Sequence, residues 1–285
     1  MRKEVSLFMN KLLSIVVVSL FSVYLLSACS GPPKQPDNKP PGQPEFVPDP
    51  MQQALVIGNA QYPRKALTNP ANDATDMADA LKKQGFTVAL HTDLNRIQME
   101  SAIRDFKKRL FAHQGSVGLF YFSGHGAQLD NKSYLIPVNN DEIKTERDVE
   151  WEAVSVDKIL AQMQGRNNGL QIIILDACRN NPYPSYVIKG GGKDGLADFT
   201  PPKGVIIGYA TGPGEVALDL SEGRNSLYTK HLLKAIKPNE RIDDILMQVR
   251  GAVLNDAVVR RSRKKQTPWY KASMTKPFRF GERSQ

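Results

Sequence analysis

The sequence predicts an α/β fold: a mostly parallel central sheet with helices on both faces. Two patterns carry that prediction. Short, near-continuous apolar runs recur along the chain, as expected of strands buried on both faces. Between them lie longer segments whose apolar residues return at helical spacing. Composition agrees, since 41% hydrophobic and 24% charged residues over 285 positions suffice for one large domain or two small ones. This excludes wholesale disorder and a collagen-like fibre. The two cysteines, Cys29 and Cys178, stand 149 positions apart, so a disulfide framework is excluded as well.

The elements follow in order from residue 52 onward. Ala54 to Ile57 reads as a strand stopped by Gly58, and Asn72 to Gln84 as a helix with Ala74, Met77, Ala78 and Leu81 on one face. Thr87 to Leu90 is a second strand. Leu94 to Phe111 is a helix carrying Ile97, Ile103, Phe106 and Leu110. Val117 to Phe122 is a strand, Tyr134 to Ile136 a short one, Val156 to Met163 a helix, and Leu170 to Leu175 another apolar strand. Val205 to Tyr209 closes the strand set, with helices at Leu227 to Ile236 and Ile242 to Leu254. No internal repeat is present.

The N-terminus differs from the rest. Arg2, Lys3 and Lys11 precede Leu12 to Leu26, fifteen residues without a charge. That is the length of a signal-peptide apolar region; a membrane span needs about 20 residues. The run ends in Leu26-Ser27-Ala28-Cys29, which resembles the lipobox of bacterial lipoprotein precursors. The resemblance implies cleavage before Cys29, acylation of that cysteine as the mature N-terminus, and anchoring in the cell envelope of a bacterium, with Ser30 favouring the outer membrane. A transmembrane anchor or a secretory signal cut elsewhere are the alternatives. Ser30 to Pro50 holds eight prolines in 21 residues and reads as a tether. At ~3.1 Å per residue it reaches about 65 Å. Residues 1–28 are thus expected to be a signal peptide, 29–50 an anchor and tether, and 51–285 the folded domain. Loss of residues 1–28 lowers the net charge from +9 to +7.

In parallel α/β sheets, sites form outside the carboxyl ends of the strands. Two expected strand ends carry reactive groups: Ser123-Gly124-His125-Gly126 after one, Asp176-Ala177-Cys178-Arg179 after the other. If those strands are neighbours, His125 and Cys178 emerge at one edge as a thiol and imidazole pair. Each alone has a plainer explanation, a tight turn for the histidine and a buried small apolar residue for the cysteine.

The stretches LVIGNAQY at 55–62, LTNPANDA at 67–74, GLFYFSGHG at 118–126 and IIILDACRNNP at 172–182 together resemble the caspase-like cysteine peptidases, in particular the bacterial members of the metacaspase and paracaspase branch. The 53-residue separation of His125 from Cys178 fits, since caspases place the histidine about 50 residues upstream of the nucleophile. The resemblance implies a caspase-like fold, with a large part at about 51–185, a linker at about 186–203 and a small part at about 204–285. It implies Cys178 as nucleophile, His125 as general base, and the N–H groups of Gly126 and Cys178 as oxyanion donors.

By the same resemblance, basic-specific relatives carry a carboxylate two residues before the nucleophile. Asp176 occupies that position, Asp73 matches their second acidic pocket residue, and Ser123 matches a pocket hydroxyl. Glu215 is expected at the rim. Two carboxylates in one pocket favour Arg or Lys at the substrate's P1 position and disfavour Asp. The alternatives are an exposed dipole-matched acid for Asp73, a local cap for Asp176 and a turn hydroxyl for Ser123.

The connection from Arg179 to Lys203 has two readings: an uncut flexible loop, or autocatalytic cuts after Arg179, Lys189, Lys193 or Lys203. The basic run Arg260 to Lys265 reads first as a solvated face. No cofactor, obligatory metal or nucleic-acid partner is expected, because Asp141-Glu142 lacks the ligand spacing of a calcium site. The partners are protein or peptide substrate and the membrane; the chain is expected to be a monomer. The competing readings are a catalytically idle scaffold of the same fold, and a legumain-like or gingipain-like peptidase with a different pocket.

Overall fold

The computed structural model describes residues 49–129, 132–165, 169–177, 201–212, 217, 223–261 and 265–282. Cys29, Cys178, Arg179, Lys189, Lys193, Glu215 and positions 262–264 of the basic run lie outside the described residues.

Strand β1 (Asp49–Gly58) begins inside the segment read as tether. It is flanked by β2 (Phe86–Thr92) and β3 (Val117–Gly124), and the sheet continues through β7 (Gln171–Ala177), β8 (Val205–Tyr209) and β9 (Trp269–Ala272). The order is β2-β1-β3-β7-β8-β9, parallel throughout except for β9, which runs antiparallel to β8. The expected α/β class, a mostly parallel central sheet with helices on both faces, is borne out. Every residue of β3, β7 and β8 is buried, which is why these runs read as continuously apolar.

Helices cover both faces. On one, Ala54, Val56, Leu119, Tyr121, Ile172 and Ile174 pack against α1 (Pro70–Lys83), α5 (Leu227–Ala235) and α6 (Ile242–Asn255). On the other, Leu55, Ile57, Phe120, Phe122, Ile173 and Leu175 meet α2 (Arg96–Phe111) and α4 (Val156–Met163). Adjacent strand residues therefore serve opposite cores, as the two-residue period requires.

Helix α2 starts two residues later than its apolar pattern suggests. Asn95 accepts from the Gln98 N–H and Gln98 reciprocates, a capping box that fixes the start. Ile97 falls in the first turn and is 69% exposed; Met99 takes the inward position expected of it. A small antiparallel sheet of β4 (Gly126–Leu129), β5 (Lys132–Leu135) and β6 (Val154–Ser155) escaped the sequence pattern apart from Tyr134 and Leu135. Helix α3 (Glu146–Glu152) and α7 (Ala257–Arg261) complete the α-helices among the described residues. Among the described residues, no helix is long and apolar enough to cross a membrane.

Candidate active site

Strands β3 and β7 are neighbours in register, pairing Ser123 with Asp176 and Gly124 with Ala177. Both strands end at the same edge of the sheet, Gly124 directly before His125 and Ala177 one position before residue 178 in the sequence.

His125 is held on three sides. Its backbone N–H donates to the Tyr62 hydroxyl at 3.0 Å, and its carbonyl accepts from the Ile136 N–H at 3.0 Å. Its ring lies 4.4 Å from the Tyr62 ring, centroid to centroid, at 48°. Nε2 sits 2.7 Å from the Lys65 carbonyl oxygen. A carbonyl only accepts, so Nε2 carries the proton and Nδ1 is the basic nitrogen. The loop that supplies these groups is anchored by Asp93, which accepts from the Ala60 and Gln61 N–H groups at 2.8 and 2.9 Å, and by the Tyr62 hydroxyl donating to the Ile136 carbonyl at 3.0 Å. Gly124 makes room for it, because a Cβ there would lie 2.7 Å from the Tyr62 hydroxyl.

Gly126 pairs with Leu135, and the Ile136 N–H donates to the His125 carbonyl, so this is a non-hydrogen-bonded pair. The Gly126 N–H therefore points away from β5. Gly126, Leu135, Leu175, Ala177 and Tyr209 line a small cleft next to the end of β7.

The acidic residues meet nearby. Helix α1 lies so close to β1 that a Cβ on Gly58 would come 2.2 Å from the Pro70 carbonyl oxygen and 2.7 Å from the Ala74 Cβ. This contact carries Asp73, one turn into the helix, to the sheet edge. Asp73 is 0% exposed, which overturns the alternative of a solvated first-turn acid. Ser123 Oγ donates to its Oδ2 at 3.0 Å, and the Ser226 N–H to its Oδ1 at 3.0 Å. Asp176 Oδ2 accepts from the Ser226 hydroxyl and, at 2.6 Å, from Thr229 Oγ1. Tyr121 OH lies 2.6 Å from Thr229 Oγ1.

Burial, followed by the charge of Asp176, raises Asp73 to about 7, against the pull of its hydrogen bonds. Burial likewise drives the Tyr121 hydroxyl far above its ordinary range, with Asp73 and Asp176 adding to the shift. Two carboxylates inside the protein, close enough to perturb one another, are costly to keep charged and are characteristic of functional sites.

Just outside, Asp76 takes a two-pronged hydrogen bond from Arg224, 2.8 Å on each arm, and a third from Asn225 at 2.9 Å. The Arg224 guanidinium holds the Asp76 carboxyl below its ordinary range. Asn69 Nδ2 donates to the Gly223 carbonyl at 3.0 Å, so residues 223–226 are stitched to the start of α1. The structure thus brings Asp73, Ser123 and Asp176 together and sets His125 at the end of the same strand as Ser123. Sequence reading missed Tyr62, Lys65, Ser226, Thr229 and the Arg224–Asp76 pair. Ser226 was detectable in principle, as a helix-capping residue directly before the Leu227 helix.

A family model described as the caspase domain matches residues 51–279. The chain belongs to the caspase domain family. Among curated proteins it is similar to the human mucosa-associated lymphoid tissue lymphoma translocation protein 1, 27% identical over 201 residues, covering 69% of this chain and 23% of that protein. The mouse homologue is 29% identical over 220 residues, covering 75% of this chain and 24% of the other. The chain spans about a quarter of the length of these relatives. Within the caspase domain, His125 and Asp176 stand at the carboxyl ends of the central strands, where open α/β sheets place their ligands, and α1 brings Asp73 beside Asp176.

Proposed function

We propose that the caspase domain is a cysteine endopeptidase cleaving after Arg or Lys, with Cys178 as nucleophile and His125 as general base. The observation that carries the proposal is the pairing of β3 with β7: it sets His125 beside the strand that leads to Cys178, and Ser123 beside Asp176.

In this mechanism Nδ1 of His125 takes the Cys178 thiol proton while the sulfur attacks the substrate carbonyl carbon. The thiol's ordinary pKa of ~8.5 leaves little thiolate without such help. The oxyanion accepts from the Gly126 and Cys178 N–H groups. The tetrahedral intermediate collapses, the C–N bond breaks, and the imidazolium returns its proton to the leaving amine. Water then attacks the thioester with His125 again as base, releasing the carboxylic acid and the thiol. The Lys65 carbonyl fixes the histidine tautomer throughout. A P1 cation offsets the negative charge of the Asp73–Asp176 pair, whereas an acidic P1 residue adds to it and is disfavoured.

The sequence before residue 49 supports an envelope lipoprotein, acylated at Cys29 and facing the periplasm from the outer membrane of a bacterium. Mass analysis of the mature N-terminal peptide checks this: a diacylated Cys29 supports the anchor, and an unmodified or uncut N-terminus refutes it. The peptidase reading is tested with paired fluorogenic peptides differing only in Arg or Asp at P1, with Cys178→Ala as control. Arg cleavage that Cys178→Ala abolishes is expected. Asp cleavage refutes the pocket, and no cleavage of either favours a binding module.

A further inference from the structure

Ser226 hydrogen-bonds both carboxylates of the pocket: its N–H donates to Asp73 and its hydroxyl to Asp176. The same hydroxyl oxygen accepts from the Thr229 N–H at 3.2 Å, capping α5. An ionised carboxylate only accepts, so the single hydroxyl proton goes to Asp176 and the lone pair to Thr229. Thr229 Oγ1 likewise spends its proton on Asp176, which leaves Tyr121 as donor to Thr229. Asp176 Oδ2 thus receives two hydroxyls from one helix start. Asp73 is tied to that same start through the amide, and Ser226 and Thr229 are 6% and 0% exposed.

A guanidinium presents planar, forked donors that demand two acceptors in fixed relation, whereas an ammonium is a point charge that follows a movable carboxylate. We propose that Ser226 is a specificity-determining residue of the P1 pocket: by bridging Asp73 and Asp176 to the rigid start of α5, it holds the two carboxylates in one arrangement that accepts a guanidinium in preference to an ammonium. This rests on the pocket reading above and names the residue that tunes it.

The test compares kcat/KM for two peptides identical except for Arg or Lys at P1, in wild type, Ser226→Gly and Ser226→Thr. Glycine keeps the N–H to Asp73 and is tolerated before a helix start, so only the hydroxyl bridge is removed. The Arg-to-Lys ratio is expected to fall about tenfold in Ser226→Gly, the scale of one hydrogen bond to a charged group, and to return to the wild-type value in Ser226→Thr. An unchanged ratio in an active Ser226→Gly, or no restoration by threonine, overturns the proposal. If Ser226→Gly turns over neither peptide, calorimetry on Ser226→Gly in the Cys178→Ala background, confirmed folded by circular dichroism, reads the same ratio as affinity for arginine amide against lysine amide. A wild type that cleaves neither peptide refutes the peptidase reading on which this proposal rests, and this proposal with it.

Discussion

Asp73 and Asp176 reach one another through a single residue, each accepting a hydrogen bond from Ser226 although they come from a helix and a strand 103 positions apart in sequence. The arrangement concentrates negative charge inside the protein, so its protonation state bears on stability and, in the proposed pocket, on ligand choice.

Asp73 is raised to about 7 from an ordinary value of 3.8. The folded chain therefore holds a proton that the unfolded chain releases between those pH values. Stability from this group is full below pH ~4 and is lost as pH rises through about 7. Asp73→Asn, neutral at every pH, removes that slope. Melting curves from pH 3.5 to 8 should approach one another for the two proteins at the acid end, with the asparagine variant gaining relative to wild type as pH rises.

Ligand binding runs the opposite way. A P1 cation requires the ionised pair, so the affinity of Cys178→Ala for a peptide ending in Arg should fall about tenfold per pH unit below pH 7. A peptide ending in norleucine should show no such slope. Equal slopes for both peptides would remove Asp73 from the pocket.

In the proposed pocket, replacing Asp176 by Asn removes one of two charges facing the P1 residue. Hydrogen bonds to charged groups are worth about 1.5–3 kcal/mol, so kcat/KM for Arg-P1 peptides should drop ten- to more than a hundredfold. The loss should sit mainly in KM, which steady-state kinetics separates from kcat.

Tyr62 positions His125 from outside the reaction. Tyr62→Phe keeps the ring against the imidazole but leaves the buried His125 N–H without the hydroxyl it bonds. Stability should fall by about 1–3 kcal/mol and kcat should fall with KM preserved. A kcat equal to wild type would show that the tyrosine serves the fold alone.

No obligatory metal is expected. Among the described residues, no cluster of three or more His, Cys, Asp or Glu side chains stands ready to hold one. Activity should persist in EDTA; loss reversed by calcium would contradict this.

Much of the fold was legible because burial on both faces writes itself as apolar runs: β3 and β7 carry no charged residue before Asp176. The β4–β6 sheet was not, since strands of two to four residues show too little alternation to register. The antiparallel β9 was missed for a related reason: its Trp-Tyr-Lys-Ala is only partly buried at the sheet edge. In the site, residues attached to a strand end or a glycine-rich turn could be picked out singly. Thr229 could not, and Ser226 only as a helix cap, because their bonds to Asp176 depend on α5 arriving beside β7 50 and 53 positions further along the sequence. The Lys65 carbonyl left no trace in side-chain chemistry at all, its contribution being made by backbone at a φ of 57°.

The most direct measurement is covalent labelling by a pair of peptidyl chloromethyl ketones that differ only in Arg or Asp at P1, followed by peptide mapping. A Cys178–histidine dyad beside an acidic pocket predicts a single adduct on Cys178 with the Arg reagent, little with the Asp reagent, and none in His125→Ala over the same time. Equal labelling by both reagents, or an adduct that forms as fast without His125, would contradict it.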